Sequence, residues 1–265
     1  MPDPTAPPLV AASVLSSFDP LCGPIGLLQL LPDASLLACG AEGWGDEIAS
    51  GFFITVTLSL ATLPVGLTLG FFLALAKISA APSLRLAANI YTTIFRGLPE
   101  LLTIFLIFYG LQIGLQQLAV ALGIDATFEI NAFFAGLIAL ALVFSAFASE
   151  VLASAFKAIP AGQYEGAAAL GLRSRTVMRL IILPQLIRIA LPGLGNLWMN
   201  LLKDTALISV IGLSDTLRQT GIAARITKEP FFFFGIACLL YLALAMLSSL
   251  VTSHLENRYK RAEQR

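Results

Sequence analysis

Apolar residues along this chain gather in long runs rather than in alternating or one-sided stripes. Five runs approach the roughly 20 residues that cross a hydrocarbon core, at 52–76, 101–122, 132–156, 192–212 and 231–251. Lys77 and a polar segment at 79–85 close the first. A second polar segment at 123–131, with Asp125 and Glu129, follows the second, and Lys157 closes the third. The fourth needs a decision, because the apolar stretch 180–213 is too long for one crossing and contains Pro184, Pro192, Gly193, Gly195 and Arg188. An arginine deep in lipid costs at least about 2.5 kcal/mol. The segment 174–190 is therefore expected to lie along the interface as an amphipathic helix, with the crossing starting near Pro192 and ending near Gly212. The predicted fold is an all-α membrane protein with five transmembrane helices.

Composition agrees with that pattern. Hydrophobic residues make up 57% of the 265 residues and charged residues 12%, and mean hydropathy is +0.86, outside the range of ordinary soluble domains. No basic patch with interleaved aromatics marks a nucleic-acid surface. The three cysteines lack metal-ligand spacing, and His254 is the one histidine, so neither a metal site nor Cys/His catalysis is expected. Net charge is zero, and its distribution carries the information. With five spans and the N-terminus outside, Lys77, Arg85, Arg96, Lys157, Arg173, Arg175, Arg179, Arg188, Arg258, Lys260, Arg261 and Arg265 fall inside, Arg218, Arg225 and Lys228 outside, and Lys203 in the membrane. The positive-inside rule thus predicts a periplasmic N-terminus and a cytoplasmic C-terminus. Residues 1–45 hold no Lys or Arg and lack the basic start of a signal peptide. They read as an irregular periplasmic or interfacial extension, in which Cys22 and Cys39 either pair, if that side is oxidising, or do not. The transmembrane domain is expected at 46–256 and a basic cytoplasmic tail at 257–265.

One charge-bearing segment interrupts the apolar middle of the chain, inside a predicted cytoplasmic loop at 158–190. From Gln163 through Tyr164, Glu165, Gly166, Ala167 and Ala168 to Gly171 it reads as one short helix. Alanine is the best helix former, Glu165 near the start suits the positive end of the dipole, and Gly171 can close it. Glu165, Ala168, Ala169 and Leu172 share a face, which makes a compact plug with one acidic residue. Here the chain resembles the permease subunits of ABC importers, whose cytoplasmic loop reads Glu-Ala-Ala, three residues, Gly, nine residues, Ile-x-Leu-Pro. Glu165, Gly171, Ile181, Leu183 and Pro184 stand at those spacings, and Gly166 departs from the usual Ala. Further matches are Phe95-Arg96-Gly97-Leu98-Pro99 with Glu100 after the Pro, the run 158–163, and Leu202-Lys203-Asp204-Thr205-Ala206-Leu207. Together they resemble bacterial permeases for polar amino acids, in particular the Q-type subunit of the histidine and opine systems, over about 44–261.

That resemblance implies a type I ABC importer permease in the inner membrane. It implies partners as well: a dimer of ATPase subunits gripping the loop around Glu165, a second permease chain (a related M-type subunit or another copy), and a periplasmic amino-acid-binding protein. ATP and Mg would be bound by the ATPase. This chain has no Gly-x-x-x-x-Gly-Lys-Ser/Thr loop, so no nucleotide cofactor and no enzymatic activity are expected of it. An ATP-independent secondary carrier is the alternative, weakened by five spans without an internal repeat.

Two sets of residues are candidates for the substrate pathway. Asn200, Lys203 and Asp204 fall near the predicted midplane, where polar groups are expensive. They either line a path or pin the helix to its neighbours, the adjacent Lys and Asp neutralising each other. Glu150 lies past the centre of the third span, roughly 9 Å toward the cytoplasm at 1.5 Å per residue. It either attracts the amino group of a substrate or forms a salt bridge or interfacial anchor.

Overall fold

The structure is a computed structural model, which describes residues 36–39, 43–123 and 129–261. Nine α-helices and two short irregular helical turns account for nearly all of these residues. They are α1 (Gly45–Ile78), α2 (Pro82–Gly97), α3 (Glu100–Ala121), α4 (Ala132–Ala158), α5 (Ala161–Ala169), α6 (Ser174–Val177), a π-turn (Met178–Ile182), α7 (Leu183–Asp204), a 3-10 segment (Thr205–Ile211), α8 (Thr216–Thr227) and α9 (Pro230–Arg261). Five stretches are long and apolar enough to cross a membrane: α1, α3, α4, the run Ser174–Ile211, and α9. The question of a Cys22–Cys39 pair lies outside the described residues with Cys22, as does Asp125.

The chain divides into two compact units. One comprises Leu58–Ile211 with Tyr241–Arg265, and its centre is α4. This helix is rich in small residues, and Ala135, Gly136, Ala139, Ala141, Ser145, Ala146, Ala148, Ser149, Ala153 and Ala155 are all buried. Within lipid, helix association depends on close packing rather than on exclusion of water, and small residues permit it. α4 accordingly packs against α2, α3 and α7. It also meets α1 backbone to backbone: a Cβ at Gly70 would stand 2.9 Å from the Ala148 Cβ and 3.1 Å from the Ser145 carbonyl oxygen. Gly193 on α7 makes room for a side chain instead, since a Cβ there would lie 2.7 Å from a methyl of Val151. Leu152, Phe156, Ile159, Ile182, Leu186 and Ala190 close the core beside Ala74. α4 ends where Pro160 forces Ile159 into extended backbone, and α2 ends the same way at Leu98 before Pro99.

Around the fourth apolar run the helix bounds differ from the expected split. Residues 174–211 form one continuous helical run, with Pro192 inside α7 rather than at its start. Ile182, Leu186 and Ala190 belong to the protein core, so one face of 182–190 packs against the bundle. Arg188 on this stretch is half-exposed. Neighbouring helices satisfy the backbone that a proline frees within a membrane helix, so Pro192 need not mark a terminus. The α-helix itself stops at Asp204 and tightens into the 3-10 segment.

The other unit comprises the chain up to Thr57 with Gly212–Leu240. Its centre is Ile48, Ala223, Ala224 and Phe233, joined by Leu37, Trp44, Ile236 and Leu240. α8 was not expected from the apolar runs. It is amphipathic, and its buried positions Thr216, Thr220, Ala223 and Ala224 form one stripe. The Thr216 amide and hydroxyl meet the Thr55 hydroxyl at 3.2 and 2.9 Å, and the Asp215 carbonyl oxygen would lie 2.8 Å from a Cβ at Gly51. Asp215 caps α8 by accepting the Arg218 N–H at 3.0 Å. Its other carboxyl oxygen is buried without a hydrogen-bond partner among the described residues.

Two expected outcomes follow. Gly70→Val drives a branched side chain into the Ala148 and Ser145 backbone and should destabilise the protein by about 1–3 kcal/mol, the usual cost of overpacking, read as a fall in melting temperature of the purified protein in detergent. Asp215 is raised to about 6, chiefly because burial penalises its charge and despite the amide bonds at the cap. A raised folded pKa means the folded chain binds the extra proton, so this contribution is fully present below about pH 4 and is lost as pH rises through about 6, to a total of roughly 3 kcal/mol. Asp215→Asn keeps a capping oxygen and should remove that slope, so the variant should melt higher than the parent at pH 7.5 and no higher at pH 4.

Candidate coupling segment and polar cavity

The plug takes shape as α5. Pro160 precedes it and the helix begins at Ala161, earlier than expected. Glu165 therefore sits in the middle of the helix rather than its first turn. Gln163, Tyr164, Glu165, Gly166 and Ala168 are exposed, and Ala167 is the residue that is buried. At the far end the Gly171 N–H donates to the Ala168 carbonyl at 2.9 Å and the Leu172 N–H to the Ala167 carbonyl at 3.2 Å. That is a Schellman closure, and it needs the left-handed φ of +69° that Gly171 adopts. A Cβ at Gly166 would meet nothing within 4 Å, so the family's usual Ala would fit there. Leu183 and Pro184 open α7, where a first-turn proline is tolerated. The Gln185 side-chain amide donates to the Gln163 Oε1 at 3.3 Å, tying α7 to α5.

Asn200 and Asp204 are brought together with Glu100, the first residue of α3. All three line a cavity of about 60 Å³ whose remaining walls are Leu140, Val143, Phe144, Phe147, Leu197 and Leu201. Lys203 does not line it and is exposed. Among the described residues no contact ion pair joins Lys203 to Asp204, and Lys203 acts on Asp204 only through its nearby charge. Two carboxylates and an amide in an apolar cavity make a setting for a cationic head group, since a desolvated carboxylate needs a partner of opposite charge.

Glu150 is not in that cavity. Its Oε1 accepts from Lys77 Nζ and from an Arg96 guanidinium nitrogen, each at 2.6 Å. The three residues tie α1, α2 and α4 together, which is the salt-bridge alternative for Glu150. The Arg96 guanidinium also stands 5.6 Å from the centre of the Phe147 ring. Tyr91 completes the attachment of α2 by hydrogen bonding with the Ser145 hydroxyl at 2.9 Å and donating to the Leu142 carbonyl at 3.1 Å. Glu100, Phe147, Lys77 and Arg96 were missed as site residues. Arg96 and Glu100 flank the Gly97–Pro99 break, and a charge on each side of a helix break at a span boundary is a signal that could have found them.

Comparison with known proteins agrees with this architecture. The family described as "Binding-protein-dependent transport system inner membrane component" matches residues 66–261. The nopaline transport system permease protein NocQ of Agrobacterium fabrum is 41% identical over 218 residues, covering 82% of this chain and 92% of the relative. The arginine ABC transporter permease protein ArtQ of Escherichia coli K12 is 37% identical, with 82% and 97% covered. The histidine/lysine/arginine/ornithine permease protein HisQ of Salmonella typhimurium is 39% identical, with 82% and 95% covered. Among solved structures, an amino acid ABC transporter crystallised with histidines superposes with a TM-score of 0.68 at 32% identity, covering 81% of this chain and 95% of that one. An inward-facing methionine ABC transporter shares the fold at a TM-score of 0.61. The all-helical bundle, its five membrane-length helices and these matches together show that the chain belongs to the binding-protein-dependent transport system inner membrane components, as a multi-pass ABC importer permease of the inner membrane.

Proposed function

We propose that this permease carries basic amino acids from periplasm to cytoplasm, driven by ATP hydrolysis in partner subunits. The observation that carries the substrate class is the pair of carboxylates, Glu100 and Asp204, lining one apolar cavity beside Asn200. A zwitterionic amino acid brings one ammonium set against its own carboxylate, whereas a basic amino acid adds a side-chain ammonium or guanidinium to match the pair. The names of the relatives supply consistent support, since they include arginine, histidine, lysine and ornithine.

In this reading the N-terminus is periplasmic and α5 faces the cytoplasm. Its exposed Tyr164 and Glu165 enter a groove on an ATPase dimer that binds ATP and Mg. Closure of the ATPases pulls on α5, and the push passes through the Gln163–Gln185 contact and the buried Ala167 into α7 and the core. Because α7 carries Asn200 and Asp204, the same movement reshapes the cavity. A periplasmic binding protein delivers the substrate, and a second permease chain, an M-type relative or another copy, completes the pathway. Glu150 and Lys203 contribute charge along the route rather than in this cavity.

The test is uptake by the reconstituted complex, with its ATPase and binding protein, in proteoliposomes. Labelled arginine or lysine should accumulate with ATP, while glutamine should accumulate far less. Glu165→Arg should cut uptake by about tenfold or more while ATP hydrolysis continues, and normal coupled uptake in that variant overturns the coupling role of α5. Asp204→Asn should raise the KM for arginine by about tenfold, the scale of one lost charged hydrogen bond, and narrow the preference over glutamine. Equal uptake of cationic and neutral amino acids by the parent complex overturns the substrate class.

A further inference from the structure

We propose that Phe147 and Glu150 form a second, inner cation subsite, which Arg96 occupies at rest as an intramolecular stand-in for the substrate's cationic head. The inference rests on the basic-substrate reading and extends it. A carboxylate and an aromatic face are the two groups that recognise a guanidinium or ammonium in a partly dry setting. Both are engaged here by one side chain of the protein itself, with the Arg96 guanidinium 2.6 Å from the Glu150 carboxylate and 5.6 Å from the Phe147 ring centre. Phe147 and Glu150 are three residues apart on α4 and share a face. Phe147 is also a wall of the cavity that holds Glu100 and Asp204, so the inner subsite adjoins the first.

The two cations on Glu150 are not equivalent. The Lys77 side chain is 9% exposed, while those of Arg96 and Glu150 are 44% and 38% exposed. Lys77 is the fixed partner, and it keeps Glu150 charged when Arg96 leaves. Arg96 is the exchangeable one: it lies at the last turn of α2, just before the Gly97–Pro99 break. α2 stays attached through Tyr91 to Ser145 and Leu142, so Arg96 can swing away without the helix coming loose. A cationic substrate replaces Arg96 charge for charge. The side chain of a zwitterionic amino acid cannot, and its α-ammonium is offset by its own carboxylate, which makes the exchange a second selection step after the Glu100 and Asp204 cavity.

The experiment counts labelled arginine bound by the purified complex of both permease chains and the ATPase, without nucleotide. Arg96→Gln should raise the count from one to two per copy of this chain, and adding Glu150→Gln should return it to one. Arg96→Lys, which refills the subsite, should stay at one. One equivalent in the parent and in Arg96→Gln alike overturns the inner subsite and leaves the basic-substrate reading standing. No arginine on the parent but one on Arg96→Gln upholds the subsite and overturns the assignment of the Glu100 and Asp204 cavity. A measurement on the unmutated protein guards against misfolding: lysine, which spares the reagent, supplied far above the concentration used for the count so that it displaces Arg96, should increase modification of Arg96 by hydroxyphenylglyoxal at least severalfold, read by peptide mass spectrometry. An unchanged rate overturns the proposal.

Discussion

Close approach of backbone to backbone along α4 is the constraint on which the larger unit depends. A helix in lipid gains nothing from hiding apolar surface, because the surrounding chains are as apolar as its neighbours. What holds the bundle together is dispersion across interfaces tight enough to exclude lipid. The buried face of α4 is built largely from Ala, Ser and Gly, and α1 and α7 answer with Gly70 and Gly193 at the points of contact. The polar side chains placed in this core are mostly hydroxyls that bond to their own helix, as Ser145 does to the Leu142 carbonyl and Ser149 to the Ala146 carbonyl at 2.8 Å each. Bonded within their own helix they fill space at little cost, and Ser145 in addition meets the Tyr91 hydroxyl of α2 across the interface.

Charges follow from the same economy. An ionised group that the bundle encloses must be matched, and the structure does so in two ways. Around Glu150 the match is internal, two cations on one carboxylate oxygen. At Glu100 and Asp204 no cation lines the cavity, and the two acids face one another's field with only Asn200 as a polar neighbour. Glu150 is thus paired twice over, whereas Asp204 has only the unbonded charge of Lys203 near it, and the contrast between these neighbouring sites is what the proposed cation binding builds on.

Much of this was legible in the sequence, and the rest was hidden for identifiable reasons. The membrane-length helices at 100–121, 132–158 and 230–261 follow from unbroken apolar runs, and the ends of α2 and α4 from the proline that follows each. The amphipathic α8 was invisible to a search for long apolar runs, since its twelve residues alternate buried Thr and Ala with exposed Arg. The unbroken helix across 183–204 was not foreseen because Pro192 was taken as a helix start, whereas the helix runs through it. For the polar residues the limit was distance along the chain. Asn200 and Asp204 are separated by one turn and line one cavity, which Lys203, adjacent to Asp204, does not. Glu100 and Glu150, each far from its partners in sequence, could be placed only by the fold.

The plug helix shows why an exposed element can still be exact in shape. α5 buries one small residue, Ala167, and spans nine residues, too short to hold its form by propensity alone. Its ends do that work. Pro160 fixes the entry, since it cannot extend a helix backward and holds Ile159 extended. Gly171 fixes the exit, since the Schellman bonds require a backbone that alanine adopts only under strain. A helix stapled at both ends can present Tyr164 and Glu165 to solvent at a set angle without spending hydrophobic contacts on its own stability. Its outer surface is then free for a partner, while Ala167 and the Gln163–Gln185 bond are its attachments to the core. Force applied to α5 therefore has a short, stiff route into α7, the helix that holds two of the three polar groups of the cavity.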